Sequence, residues 1–239
     1  MIYIGTSGWH YNHWKGKFYP RNLDSGGFLS FYIKKFNTVE INNTFYQIPK
    51  RDTFIDWESI TPDDFIFAIK ASRYITHLKK LNDTKASIKN FFDGIKYMKH
   101  KVGPILFQLP PNWASNSKRL ENFIKVLPAN YRYAFEFRNL DWFKKEIYEI
   151  LSGNNIAFCI YELGKLKSPK KVTADFVYIR LHGPNDAYKG LYSSQRLNTL
   201  ANDIKKWQRQ NKDVFCYFDN DENAYAPKNA SSLLKIIKE

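Results

Sequence analysis

Eight short, β-rich apolar runs recur along the chain, nearly every one followed by a stretch patterned for a helix, and no other feature restricts the fold as much. A strand that reaches its neighbour through a helix runs parallel to it, so the alternation predicts one parallel sheet of βα units. The predicted strands are Ile2–Thr6, Thr38–Asn42, Phe65–Ala71, Ile105–Leu109, Tyr133–Arg138, Ile156–Tyr161, the stretch Asp175–Pro184, and Val214–Asp219. Helices are predicted over Phe28–Phe36, Arg51–Ile60, Thr84–His100, Leu120–Leu127, from Asp141 as N-cap to Leu151, over Ser194–Gln210 and over Pro227–Ile237. Eight such units in 239 residues suit a closed barrel of eight strands and eight helices, for which about 250 residues is typical. A doubly wound open sheet is the alternative, but Gly5–Trp9 (GTSGW) lacks the GxGxxG spacing of a dinucleotide loop. The chain has no linker, low-complexity tract or fixed-period repeat. The expectation is one α/β domain over residues 1–239, a TIM-type (β/α)8 barrel.

Asp175–Pro184 (DFVYIRLHGP) carries the first hint of chemistry. Val177, Ile179 and Leu181 alternate with Tyr178, Arg180 and His182, so a strand here presents Arg180 and His182 on one face. Other runs share the design, with polar residues toward their carboxyl ends: Glu40 and Asn42, Lys70, Gln108, Glu136 and Arg138, and Asp219 and Asn220. In such barrels the working groups occupy the C-terminal ends of the strands and the loops behind them. Two readings compete for this set. One is an internal salt-bridge network of Glu40 and Glu136 against Lys70, Arg138 and Arg180. The other is a site in which three cations outnumber two glutamates and receive an anion, with Arg138 and Arg180 gripping it bidentately.

As an active site, Glu40 and Glu136 form an acid and base pair, Lys70 and Arg180 hold an oxyanion, and His182 shuttles a proton. A paired-carboxylate glycosidase is less suited to so many cations. A divalent metal on Glu40, Glu136, His182 and Asp219 is a weaker alternative, because the chain has no HExxH and only His182 of five histidines ends a strand. No cofactor is otherwise expected. The loop Trp9–Pro20 concentrates Trp9, His10, Tyr11, Trp14, Phe18 and Tyr19 among Lys15 and Lys17, a composition that stacks bases or sugars or else packs a lid. Tyr46 lies on another rim loop. His100 is expected to cap a helix end, His77 to reach the rim, and Ser194 to cap the helix it begins.

A net charge of +14 and a pI of about 9.5 invite an anionic small molecule or nucleic acid, although solvated lysines on outer helices account for the charge equally well. Cys159 and Cys216 sit in separate strand runs and read as core thiols. No apolar run is long enough to span a bilayer and the N-terminus lacks a signal-peptide pattern, so the reading is a soluble, cytoplasmic protein without a membrane partner.

From near its first residue to near its last, the sequence resembles the domain-of-unknown-function 72 family, also called YecE-like. The motifs that carry the resemblance are GTSGW at Gly5–Trp9 with WKGKFYP at Trp14–Pro20, VEINNTFYQIP at Val39–Pro49, ITH at Ile75–His77 and LFQLPP at Leu106–Pro111. EFRNLDWF at Glu136–Phe143, YIRLHG at Tyr178–Gly183 and YFDNDENAYAPKNA at Tyr217–Ala230 complete the order. One departure is Asp219, where the family pattern leads to an asparagine and this chain places a carboxyl. The resemblance implies a TIM-type barrel with a shared pocket and names no reaction. The expected function is acid–base chemistry on an anionic, phosphate-bearing substrate at the C-terminal rim. The alternatives are a nucleic-acid-binding protein using the same basic, aromatic rim without catalysis, and a metal-dependent hydrolase or nuclease.

Overall fold

The computed structural model describes Met1 to Glu239. Its strands are β1 (Ile2–Thr6), β2 (Thr38–Ile41), β3 (Ile66–Lys70), β4 (Val102–Gln108), β5 (Tyr133–Glu136), β6 (Ala157–Leu163), β7 (Leu166–Lys167), β8 (Phe176–Leu181) and β9 (Asp213–Phe218). Eight of them run parallel in the order β1-β9-β8-β6-β5-β4-β3-β2, with β7 as a short antiparallel hairpin arm on β6. The predicted eight-stranded barrel is the observed fold.

The ring closes between β1 and β2 by other means than a full ladder. A bridge joins Ser7 to Glu40, and Gly8 N donates to Glu40 O at 2.8 Å. Below it the hydroxyl of Tyr32 accepts from Thr6 N (2.9 Å) and donates to Thr38 O (3.1 Å), so one phenol stitches the seam. The two strands come so close there that a Cβ on Gly5 would lie 2.3 Å from Thr38 O, which only glycine tolerates.

Alternation along the strands builds two cores. One lies between the barrel and its helices and includes Val177, Ile179 and Leu181; the other fills the lumen. The lumen is uneven, with Ala68, Ala134 and Ala157 on one side facing the rings of Tyr3, Phe176, Tyr178, Phe215 and Tyr217 on the other. Further along the same inward rows come Ser7, Glu40, Lys70, Gln108, Glu136, Arg180 and Asp219. Aromatic filling therefore ends beneath a layer of polar groups at the C-terminal rim.

Several element boundaries depart from the sequence patterns. The helix predicted over Thr84–His100 stops at Ile95, becomes a tighter turn over Lys96–Lys101, and breaks at Lys99, whose φ is 53°. His100 caps nothing and instead reaches Asp63, 2.9 Å from its carboxylate. The predicted helix Leu120–Leu127 runs from Ser117 to Ile124 because Asn116 caps it, accepting from Arg119 N. Asp141 lies inside a short 3-10 turn and binds Ser115, while the helix behind it covers Lys145–Gly153. Ser193, not Ser194, caps the helix Ser194–Arg209 by accepting from Arg196 N. No helix is long and apolar enough to cross a membrane.

Candidate active site

Arg180 is the hub of the polar layer, and no part of the residue reaches solvent. Its Nε lies 3.1 and 3.0 Å from the two oxygens of Glu40, and Nη1 is 2.9 Å from Glu136 Oε2. Nη2 reaches Glu40 Oε1 at 2.7 Å, Ser7 Oγ at 3.0 Å and Asp219 Oδ2 at 3.1 Å. Glu40 also accepts from Tyr178 Oη at 2.6 Å and from Ser7 Oγ. Burying such charges costs several kcal/mol each and is tolerable only when every donor and acceptor is paired, as here.

This geometry revises two expectations. Arg180 cannot grip a substrate anion, because its N–H groups are spent on Glu40, Glu136, Asp219 and Ser7. The surplus of positive charge also disappears from the cluster as a whole, since Asp219 is a third buried carboxylate against Arg138, Arg180 and Lys70. The four donors considered for a divalent metal converge on the Arg180 guanidinium, and no group of three or more His, Cys, Asp or Glu is arranged to hold an ion.

His182 is equally enclosed. Its Nε2 faces two guanidiniums, Arg138 Nη2 at 2.9 Å and Arg180 Nη1 at 3.2 Å, which can only donate. The ring proton therefore resides on Nδ1, 2.8 Å from Asp219 Oδ2 but bent too far for a well-formed hydrogen bond. Burial by itself would raise the pKa of Asp219, but Arg180, His182 and Lys70 outweigh it and hold the group ionised below the usual range. Burial likewise opposes ionisation of Glu136, where Arg138 and Arg180 prevail and keep the carboxylate charged.

Arg138 bridges the enclosed layer and the surface. Its Nε pairs with Glu136, its Cζ lies 5.0 Å from the Tyr161 ring centroid, and Nη1 makes no hydrogen bond. Lys70 differs from both arginines. Its Nζ makes no hydrogen bond and no ion pair, and rests 4.1 Å from the centroid of the Phe45 ring. Burial and then Arg180 push its pKa down to about 8, against the pull of Glu136, Glu40 and Asp219. His77 stands edge-on to the same Phe45 ring at 5.1 Å. Burial and the nearby Lys70 lower its pKa to about 4, so it is a neutral imidazole at neutral pH.

The remaining predicted residues separate into those that meet at this rim and those that do not. Gln108, opposite Glu136 in the β4–β5 register, leaves its amide without a hydrogen bond. Asn42 donates to Ser7 Oγ at 2.7 Å while its own Oδ1 is buried and unpaired. Beside it opens a cleft of about 500 Å3 walled by Trp9, Tyr11, Tyr46 and Trp57, with Asn42 and Asn43 at its polar end. A cavity of similar size, between Leu81–Lys85 and Asn116–Val126, shares no residue with the cluster.

Trp14 does not line the cleft. It is fully buried, its Nε1 donates to Asp221 O at 3.2 Å, and with His13 and Lys17 it latches the aromatic loop onto the segment after β9. The loop packs its own rings, with Trp14 4.7 Å from Tyr11 and 5.6 Å from Phe18, and Tyr19 stacks on Phe28 of the following helix at 4.2 Å. Asn220 points away from Asp219 and ties Gly190 O (2.8 Å) to Asn229 (3.0 Å), fastening the loop behind β8. That loop carries Tyr188, whose ring stands perpendicular to His182 at 5.7 Å and whose φ is 65°, an unusual conformation for an aromatic residue.

Sequence patterning assigned no role to Ser7, Tyr178 or Phe45. Tyr178 carried a usable signal, because it precedes Arg180 by two residues on the inward face.

Taken together, the fold and this rim define a TIM-type barrel protein with a buried ion cluster under its C-terminal mouth. The family model for "Protein of unknown function DUF72" matches residues 3–239, and the chain belongs to that family. It is 28% identical to the UPF0759 protein YunF of Bacillus subtilis over 271 aligned positions, covering 99% of this chain and 95% of that one. It is 30% identical to the UPF0759 protein YecE of Escherichia coli over 146 positions, 61% of this chain and 51% of that protein. The crystal structure of a DUF72 family protein from Thermotoga maritima superposes with a TM-score of 0.92 at 31% identity, over the full length of both chains.

Proposed function

We propose that the chain is an enzyme performing proton-transfer chemistry on a small anionic, phosphate-bearing substrate at the C-terminal rim. The observation that carries this reading is the bare amine of Lys70 beside a cluster in which the other cations are paired. Glu40 and Glu136 face downward onto Arg180, so the groups left open are Lys70 Nζ, Arg138 Nη1, the Gln108 amide and one oxygen of Asp219. Two of these are cationic. Arg138 and Lys70 hold the anion, and Lys70 gives or takes a proton near neutral pH, as a lysine with a depressed pKa can. Asp219 serves as the partner base, its other oxygen anchored by Arg180 and His182. Trp9 and Tyr46 border the space where the rest of the substrate lies.

The test is a screen of small phosphorylated compounds, with turnover followed by phosphorus-31 NMR. The expected outcome is one chemical class converted by the wild type, with turnover reduced about 100-fold or more in Lys70→Met and in Asp219→Asn, the range of a lost acid–base group. Full turnover in both variants would remove the roles assigned. Wild-type protein that neither converts nor binds any phosphorylated compound would remove the substrate class.

A further inference from the structure

We propose that Lys70 is a covalent nucleophile, forming a Schiff base with the aldehyde or ketone carbonyl of the substrate. The inference rests on the open-rim reading above and adds the substrate's functional group. Three features of the site support it. The amine ends β3 at the rim and has no competing partner, so nothing must be broken before it attacks. The Phe45 face beneath it and the neutral His77 against that ring form a poorly hydrated wall, which favours the uncharged amine. Glu136, Glu40 and Asp219 act on the amine electrostatically, and the same field stabilises an iminium.

A fully buried lysine elsewhere in the barrel shows that a bare amine is not forced by the fold. Lys101 is 3% exposed, yet its Nζ donates to Glu58 O at 2.6 Å and Thr61 O at 2.8 Å.

The step balances without an added oxidant or reductant. The lone pair of the neutral amine forms the N–C bond as the carbonyl π pair moves onto oxygen. That oxygen takes one proton from the nitrogen and one from solvent and leaves as water, so the nitrogen keeps one hydrogen and the iminium carries one positive charge. Hydrolysis reverses the sequence and frees Lys70. With a pKa of about 8 against 10.5 for an ordinary lysine, the neutral fraction of Lys70 at pH 7 exceeds that of a surface lysine about 300-fold.

The experiment is borohydride trapping on the intact protein, with glycolaldehyde phosphate stoichiometric with protein, followed by peptide mass mapping. The expected result is a reduced adduct concentrated on Lys70 and absent from Lys70→Arg, which keeps the charge and cannot form the imine. Adduct spread over surface lysines, with Lys70 no more labelled than the rest, overturns the proposal. Unphosphorylated glycolaldehyde separates the two readings. If it labels Lys70 as readily, the imine stands and the phosphate-bearing substrate falls. If neither aldehyde is trapped while phosphorylated compounds still raise the melting temperature of wild type but not of Lys70→Met, the anion site stands and the imine falls.

Discussion

Lys70, at the end of β3, and Lys101, just before β4, lie at opposite ends of the barrel and are treated in opposite ways. Lys101 precedes β4 at the N-terminal rim, where two backbone carbonyls and the Thr61 hydroxyl satisfy it and Glu58 lies 3.7 Å away. Lys70 closes β3 at the C-terminal rim, partly buried against one aromatic ring and bonded to nothing. Both lysines bear the cost of leaving water, and only one is compensated. A buried cation with a full set of partners is structural. A partly buried cation without them persists where the surrounding fold tolerates the cost for another reason, and the C-terminal mouth of a barrel is where chemistry supplies that reason.

Within the C-terminal rim, Arg180 belongs with Lys101. Replacing Arg180 by Met strands three buried carboxylates, and the expected loss is about 3–5 kcal/mol of unfolding free energy in a guanidinium titration. A loss under 1 kcal/mol would mean that the cluster is not a structural hub, and the division between paired and bare cations would collapse. Lys101→Met is the next largest effect, about 2–3 kcal/mol, because Glu58 O and Thr61 O lose a charged donor in a buried setting. Lys101→Met, at the opposite end of the barrel, is not expected to alter the identity of a ligand bound at the rim, which thermal-shift profiles of the folded variant would show.

The inward rows were legible in the sequence because a period of two is a local property. It put Arg180 and His182 on one face of their strand, while Glu40, Lys70, Gln108 and Glu136 stood out only as polar residues at strand ends; the same parity turns Asn220 outward after Asp219. What could not be read was the pairing. Arg180 meets Glu40 from 140 positions away, and nothing local distinguishes it from Lys70 as a strand-end cation. Reach decides between them, since the guanidinium spans several carboxylates at once while the Lys70 amine remains outside them. The fate of Trp14 was likewise tertiary. Its burial depends on a latch to Asp221, more than 200 residues later. The small errors at helix ends have a local cause, in that Asn116 and Ser193 cap one residue before the helices they open.

The smallest expected effect bears most directly on the contrast. Lys70→Met removes a charge with no partner, and with it the penalty of holding that charge away from water, so its sign at pH 7 is expected to be stabilising. The pH dependence is sharper than the magnitude. The amine has a pKa of about 8 when folded and an ordinary value near 10.5 when unfolded. Between these values the unfolded chain holds a proton that the folded chain has released, so unfolding free energy rises with pH across that window. Below pH 8 both states are protonated and the folded protein carries the full penalty of the buried charge. The advantage of Lys70→Met over wild type is therefore expected to be constant below about pH 8 and to shrink toward pH 10.5. Paired denaturation curves at pH 7, 8, 9 and 10 measure this difference directly. A difference independent of pH would show that the Lys70 amine titrates as it does in water, and the rim would then hold no cation unlike Lys101.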